Sequence, residues 1–174
     1  MGSSTPQLII IMGISGSGKS LLAKLLAKQL NACFLDADDY HSPEAKQKMA
    51  NGHPLTEQDR APWIARLIAK IATKLQQGTP CVMAYSGLKA HHRQQFIPLC
   101  NTACFIHLDP AEAVIKSRLS ARQNHFFNPN LLASQISAFE APEQQETLYR
   151  IDQDLPPEQL LQHAMEIIDA HKQY

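Results

Sequence analysis

One stretch near the start of the chain has the residue types and spacing of a phosphate-binding loop. It reads Gly13-Ile14-Ser15-Gly16-Ser17-Gly18-Lys19-Ser20 and fits the pattern G-x-x-x-x-G-K-[ST]. Glycines allow a backbone to fold around a phosphate with its N–H groups pointing inward. Lys19 would place a cation beside the β- and γ-phosphates, and Ser20 would offer its hydroxyl to Mg²⁺. The stretch therefore predicts a site for a nucleoside triphosphate.

The sequence on either side of this loop predicts the strand and helix that such a loop needs. Residues 7–12 form an apolar run with three consecutive isoleucines, and residues 21–28 are good helix formers. A helix that begins near Gly18 would direct its free N–H groups and positive dipole end at the same anion. A glycine- and serine-rich loop could merely connect a strand to a helix, but this context favours phosphate binding. We expect nucleotide contacts from eight positions: Gly13, Ser15, Gly16, Ser17, Gly18, Lys19, Ser20 and Leu21.

A second group of polar residues follows the next apolar run. Residues 31–35 predict a second strand, which leads directly into Asp36-Ala37-Asp38-Asp39-Tyr40-His41. Because ligands in open α/β sheets bind at the carboxyl ends of strands, we expect these acids near the phosphate loop. The alternative is a solvated turn after a strand.

The remaining apolar patterns predict the elements that must position these residues. Strand-like runs alternate with helical segments, which predicts a single α/β domain over residues 1–174, with a five-stranded parallel sheet, helices on both faces and right-handed crossovers. The strands are predicted at residues 7–12, 31–35, 81–85, 103–108 and 148–151. The later helices are predicted at residues 42–51, 56–77, 91–100, 110–122, 129–138 and 157–171.

Composition limits the classes of function. The 174 residues are 44% hydrophobic and 18% charged, which suits one globular domain. Lys+Arg and Asp+Glu are equal at 16 each, which argues against a general binder of nucleic acid or acidic membranes. No apolar run reaches ~18 residues, so we expect a soluble, cytoplasmic protein. Its four cysteines then fit buried free thiols better than a zinc site or disulfides.

A phosphate loop alone does not identify the reaction, because kinases, GTPases and ATPases share it. The sequence contains no Asn-Lys-x-Asp stretch with which a GTPase would read guanine. The third predicted strand ends at Tyr85-Ser86-Gly87, without the acid that a mechanical ATPase would place there for Mg²⁺. Arg118 and Arg122, four residues apart in a helical segment after strand four, add to the features of a small-molecule kinase.

At this point the chain resembles the small gluconokinases, which are relatives of shikimate and nucleoside monophosphate kinases. The resemblance covers about residues 7–170, and its most particular stretches are Phe34-Leu35-Asp36-Ala37-Asp38-Asp39-Tyr40-His41 and Asp59-Arg60-Ala61-Pro62-Trp63. Shorter matches are Lys48-Met49, Gly52-His53-Pro54-Leu55, Ser86-Gly87-Leu88-Lys89 with Arg93, and residues 117–122 with His125-Phe126-Phe127. The resemblance implies a three-layer P-loop kinase fold with a helical lid at about residues 118–140. It also implies ATP- and Mg²⁺-dependent phosphorylation of D-gluconate to 6-phospho-D-gluconate.

The resemblance implies roles for particular side chains. Asp38 would accept a hydrogen bond from the attacking hydroxyl, with or without taking its proton. Asp36 would hold Mg²⁺ beside Ser20 or orient Asp38. The candidate substrate contacts are His41 for a hydroxyl and, for the gluconate carboxylate, the cations Arg60, Lys89 and Arg93.

The lid would supply a second set of residues. Arg118 and Arg122 would close over the transferring phosphate or lie near the adenine, which makes Arg118 a catalytic candidate beside Lys19 and Asp38. His125 would contact the substrate, and Phe126-Phe127 would exclude water. The alternatives are a solvated pair of arginines, which is common at this spacing, and aromatic side chains that pack under the lid.

One segment departs from the family pattern. Where most gluconokinases read Cys-Ser-Ala-Leu-Lys-Lys-x-Tyr-Arg-Asp, residues 85–94 read Tyr-Ser-Gly-Leu-Lys-Ala-His-His-Arg-Gln. This segment would face the acceptor, and Tyr85 would narrow the pocket. Another aldonate, a shikimate-like hydroxy acid or a nucleotide therefore stays open as the acceptor, as does a nucleotide-binding regulator without catalysis. Related enzymes are often dimers, so a homodimer is a further expectation.

Overall fold

The computed structural model describes residues 7–100, 103–121, 129–142 and 146–171. At its centre is a five-stranded sheet in which every pair of neighbouring strands is parallel. The strands are β1 (Leu8–Met12), β2 (Cys33–Asp36), β3 (Cys81–Tyr85), β4 (Ala103–Leu108) and β5 (Leu148–Ile151). Their order across the sheet is β2-β3-β1-β4-β5. The predicted parallel sheet is confirmed, and β2 extends one residue further than expected, to Asp36.

The helices surround this sheet close to their predicted positions. They are α1 (Lys19–Gln29), α2 (Pro43–Ala50), α3 (Glu57–Gln76), α4 (Ala90–Arg93), α5 (Glu112–Ser120), α6 (Pro129–Ala138) and α7 (Pro157–His171). Short 3₁₀ turns cover Ala37–Tyr40 and Gln94–Leu99. None of the helices within the described ranges combines the length and apolarity that crossing a bilayer requires.

The prediction of one helix over residues 91–100 is wrong in detail. An α-helical turn at Ala90–Arg93 gives way to a 3₁₀ turn that contains Pro98. Proline has no backbone N–H and its ring clashes with the preceding turn, so the regular α-helical hydrogen bonds cannot continue through it. The α-helical turn therefore ends at Arg93, and the segment continues as a 3₁₀ turn to Leu99.

The two faces of β1 explain why all five of its side chains are buried. Ile9 and Ile11 pack in a core with residues of α1 and α7. Ile10 and Met12 point to the opposite face and pack in a second core, whose largest helical contributor is α3. A parallel strand covered on both sides needs apolar residues at successive positions, which is the pattern that the sequence shows.

The four cysteines are free thiols, as the sequence indicated. Cys81 and Cys104 are buried, and burial raises the pKa of each thiol to about 12. Cys33 and Cys100 are only half-buried. The buried pair is therefore uncharged and packs as small apolar side chains.

Candidate active site

The phosphate-binding loop joins the carboxyl end of β1 to the first residue of α1. Gly13 and Gly16 both have positive φ angles, +150° and +83°. A Cβ added at Gly13 would lie 2.6 Å from the carbonyl oxygen of Leu108, and one at Gly16 would lie 2.9 Å from Cγ of Leu119. The loop is thus held against β4 and α5 at two positions where only glycine fits without displacement. Leu21 lies exposed in the first turn of α1.

Arg118 of α5 lies against this loop. Its Nη1 donates hydrogen bonds to the carbonyl oxygens of Gly16 and Ser17, at 3.4 and 3.2 Å. Its Nη2 pairs with Asp154, which lies just before α7. The predicted position of Arg118 beside the phosphate loop agrees with this geometry, and its catalytic role stays a prediction.

A glutamine from α6 also contacts the loop. The backbone N–H of Ser15 donates a 3.0 Å hydrogen bond to Oε1 of Gln135. Backbone N–H groups of such a loop are the donors that bind phosphate oxygens. Gln135 therefore occupies a backbone N–H that the expected nucleotide would also use. The sequence placed α6 in the lid region, but nothing in its composition marked this side chain.

The predicted metal-binding residues lie side by side. The Ser20 hydroxyl donates a 2.8 Å hydrogen bond to Oδ2 of Asp36. The other carboxylate oxygen, Oδ1, accepts a 3.2 Å hydrogen bond from the backbone N–H of Asp38. Asp36 thus links the first turn of α1 to the 3₁₀ turn that follows β2. The prediction that the acids after β2 approach the phosphate loop is confirmed for Asp36.

Asp38 lies exposed in that 3₁₀ turn, whereas His41, the residue directly after the turn, is buried. The Asp38 side chain is 68% exposed, and its Oδ1 lies 4.0 Å from Nε2 of His41. The His41 ring stacks on Trp63, with ring centroids 4.0 Å apart. Burial lowers the pKa of His41 and outweighs the opposing effect of the Asp38 carboxylate, so the imidazole is neutral near pH 7. Its Nδ1 has no hydrogen-bond partner within the described ranges.

Trp63, on which the His41 ring stacks, is held in place by a hydrogen bond and by two further aromatic rings. Trp63 Nε1 donates a 2.7 Å hydrogen bond to the carbonyl oxygen of Ala37, which fixes α3 against the 3₁₀ turn. The ring centroids of Trp63 and Tyr85 are 5.4 Å apart, and those of Tyr85 and Phe96 are also 5.4 Å apart. Tyr85 is fully buried in this stack. The expectation that Tyr85 narrows an open pocket is therefore corrected: its ring fills the core beneath Trp63.

The three predicted carboxylate-binding cations differ in their surroundings. Arg60 pairs with Glu57 at 3.0 Å, and Lys89 pairs with Glu140 at 2.9 Å. Both pairs are partly exposed, so either cation can exchange its partner for a substrate carboxylate at little cost. The predicted role of Arg60 and Lys89 in binding the substrate carboxylate therefore remains a proposal.

Arg93, by contrast, is fully buried. Its Nε and Nη2 donate to the two carboxylate oxygens of Glu146, at 2.7 and 2.9 Å. Nη1 donates to the carbonyl oxygen of Gly87 at 2.8 Å, and Nη2 also donates to that of Ala141 at 3.2 Å. This geometry favours a positioning role for Arg93, which joins the segment after β3 to the segment after α6, over the predicted direct contact with substrate.

We expect Glu146→Gln to lower the free energy of unfolding by about 3–5 kcal/mol, because it leaves the Arg93 charge buried without its counterion. Urea unfolding followed by circular dichroism measures this loss. The matched control is Asp109→Asn, which removes the partner of Arg150 in a pair that is 40% and 60% exposed. The control should cost less than about 1 kcal/mol. Equal losses in the two variants would contradict a special role for the buried pair.

Some predicted lid residues cannot be placed. Arg122, His125 and Phe126-Phe127 lie outside the described residues. Their roles in nucleotide binding, substrate contact and water exclusion stay predictions.

The chain is similar in sequence and in fold to several known proteins. A family model described as an AAA domain matches residues 8–142. A probable gluconokinase from Dictyostelium discoideum is 41% identical over 145 residues, which cover 80% of this chain and 72% of that protein. The thermoresistant gluconokinase of Escherichia coli is 36% identical, with 94% of each chain covered. The crystal structure of a gluconokinase from Sinorhizobium meliloti superposes with a TM-score of 0.86 at 29% identity and covers 97% of this chain and 95% of that chain.

Proposed function

Because the chain belongs to the gluconokinase family, we propose that it phosphorylates D-gluconate with ATP, giving 6-phospho-D-gluconate and ADP. The observation that carries this proposal is the contact between Ser20 and Asp36. It joins the phosphate-binding loop, which serves the donor, to the 3₁₀ turn that presents Asp38 to the acceptor. The two halves of a phosphoryl-transfer site thus meet at the carboxyl edge of one sheet.

On the donor side, the loop amides and Lys19 bind the β- and γ-phosphates. Lys19 begins α1, so its charge adds to the positive end of that helix dipole. A phosphate oxygen that uses the Ser15 N–H replaces Oε1 of Gln135 there. Nucleotide binding is therefore coupled to a shift of the Gln135 side chain on α6.

The residues between the two halves fit a magnesium ion. Mg²⁺ prefers hard oxygen ligands, and Ser20 and Asp36 bring a hydroxyl and a carboxylate oxygen within 2.8 Å of each other. When bound there, Mg²⁺ neutralises charge on the phosphates. Asp36 also accepts the Asp38 N–H, so the same carboxylate fixes the turn that carries Asp38.

On the acceptor side, Asp38 accepts a hydrogen bond from the C6 hydroxyl of gluconate. The hydroxyl oxygen attacks the γ-phosphorus, the bond from that phosphorus to the β–γ bridging oxygen breaks, and ADP leaves. The proton moves toward the exposed Asp38 carboxylate. Arg60 and Lys89 bind the gluconate carboxylate, and the neutral His41 imidazole is placed to hydrogen-bond a hydroxyl.

A panel of acceptors tests this proposal. We expect kcat/KM for ADP release to be highest with D-gluconate and at least about 10²-fold lower with shikimate or nucleoside monophosphates, which would leave polar groups of the site unpaired. Other aldonates should lie between these extremes. Activity on shikimate or a nucleotide with none on any aldonate would contradict the proposal. ATP binding with no transfer to any acceptor would instead support a non-catalytic regulator.

A further inference from the structure

Three side chains with the chemistry of metal ligands meet at a second place on the molecule. Glu57 begins α3, and His91 and His92 lie in α4. Nε2 of His92 lies 2.8 Å and Nε2 of His91 lies 3.1 Å from Oε2 of Glu57. We propose that Glu57, His91 and His92 form a binding site for a divalent transition-metal ion, with Zn²⁺ as the preferred ion.

The spacing of the donor atoms suits such an ion. Each residue offers one ligand atom, and the three atoms lie within 4.8 Å of one another. Zn–N and Zn–O bonds of about 2.0–2.1 Å in tetrahedral geometry separate the ligand atoms by about 3.3 Å. The observed separations of 2.8 and 3.1 Å differ from this by only a few tenths of an ångström. The two imidazole nitrogens lie within 4.8 Å of each other, so all three donor atoms are close enough to share one ion after their side chains adjust.

The identity of the donor atoms also suits the ion. Both histidines present Nε2 to the same carboxylate oxygen of Glu57. Imidazole nitrogens and carboxylate oxygens are common ligands of zinc.

The site is open to solvent on one side. Glu57, His91 and His92 line the edge of a cleft of about 430 Å³ whose wall is the apolar face of α3, including Ile64 and Ile68. Three protein ligands with an open fourth position for water are a common zinc arrangement. Arg60 uses the other carboxylate oxygen, Oε1, so an ion on Oε2 does not displace it.

The ligand set separates this site from the Ser20–Asp36 pair. Imidazole nitrogens suit zinc, copper and nickel, whereas magnesium prefers oxygen. His92 stands at a position where this chain departs from the gluconokinase pattern given above, which has a tyrosine there. The alternative is a hydrogen-bonded cluster without metal, in which both imidazoles donate to one carboxylate oxygen.

Zinc titration against a chromogenic chelator tests the proposal on the full chain, in excess Mg²⁺ and a non-thiol reductant. We expect one Zn²⁺ per chain, and we expect His91→Ala and His92→Ala each to weaken binding at least about 10-fold. His163→Ala on α7 is the matched control and should bind as the wild type does. Because the His91 side chain is 57% exposed, His91→Ala should keep the wild-type melting temperature, which separates loss of a ligand from loss of fold.

A cobalt titration adds a readout that a hydrogen-bonded cluster cannot give. Co²⁺ at the wild-type site should produce visible absorption bands of a four-coordinate ion with imidazole ligands, and these bands should be absent in Glu57→Gln with His91→Ala combined. The proposal is overturned if the wild type binds no stoichiometric Zn²⁺. It is also overturned if both histidine variants bind Zn²⁺ as tightly as the wild type, which would place the ion on other donors such as the cysteines.

Discussion

Lys19→Ala is expected to lower kcat by about 10²- to 10³-fold or more. In the proposed mechanism, the ammonium group at the first position of α1 acts where negative charge develops on the transferring phosphoryl group, and no other side chain of the motif carries a positive charge. Because this charge acts chiefly in the transition state, kcat should fall more than ATP affinity does. Initial rates of ADP release at saturating ATP and gluconate measure the effect.

Lys28→Ala is the matched control for that variant. It removes the same charge from the last turn of the same helix, where the side chain is exposed. Its kcat should stay within about twofold of the wild type, as expected for a surface substitution. A Lys19→Ala enzyme that keeps a tenth or more of the wild-type kcat, with an unchanged melting temperature, would show that the loop does not act on the phosphoryl group in this way.

Asp38→Asn is expected to lower kcat by about 10²- to 10⁴-fold, the range found when a positioned acid–base group is lost. Asparagine has nearly the same shape, but it carries no charge and cannot take the proton of the attacking hydroxyl. The Asp38 side chain is exposed, and the hydrogen bond that orders its turn comes from its backbone N–H. The turn and the nucleotide site should therefore survive the substitution, and KM for ATP should change little.

The neighbouring carboxylate provides the control. Asp39 lies in the same 3₁₀ turn and is exposed, so Asp39→Asn removes an equal charge one residue away. We expect nearly wild-type rates from Asp39→Asn. The assigned role of Asp38 is wrong if both variants lose activity equally, or if Asp38→Asn raises KM for ATP and leaves kcat unchanged.

The features that could be predicted from sequence depend on short-range patterns. Continuous apolar runs at residues 8–12 and 81–85 identify strands buried on both faces, and the spacing from Gly13 to Ser20 identifies the phosphate loop. The approach of Asp36 to Ser20 also followed from sequence, because the carboxyl ends of all strands in a parallel sheet lie at the same edge of that sheet.

Long-range pairing between side chains could not be predicted in this way. Arg93 was predicted to bind the substrate carboxylate, but it is buried against Glu146, which is 53 residues away in sequence. Similarly, Gln135 contacts Ser15 across 120 residues, and neither residue type marks the contact. Which cation is buried and which remains available to a substrate depends on how loops pack, and sequence periodicity contains no such information.

The sequence also indicated that residues 85–94 are unusual, and the structure shows where their side chains lie. The departure from the family pattern at residues 85–94 was interpreted as a change in the acceptor pocket. The structure instead places Tyr85 in the core and directs His91 and His92 to Glu57 at the start of α3. The substitutions thus alter a cluster beside α3, while Lys89 stays partly exposed and pairs with Glu140.

Identification of the product is the most direct test of the proposed reaction. The wild-type enzyme, incubated with ATP, Mg²⁺ and D-gluconate, should form one phosphomonoester for each ADP released. Phosphorus–proton correlation NMR should place the phosphate on the C6 oxygen. A phosphate on another oxygen, or ADP release without any phosphorylated gluconate, would contradict the proposal that Asp38 presents the C6 hydroxyl to a phosphate held by Lys19.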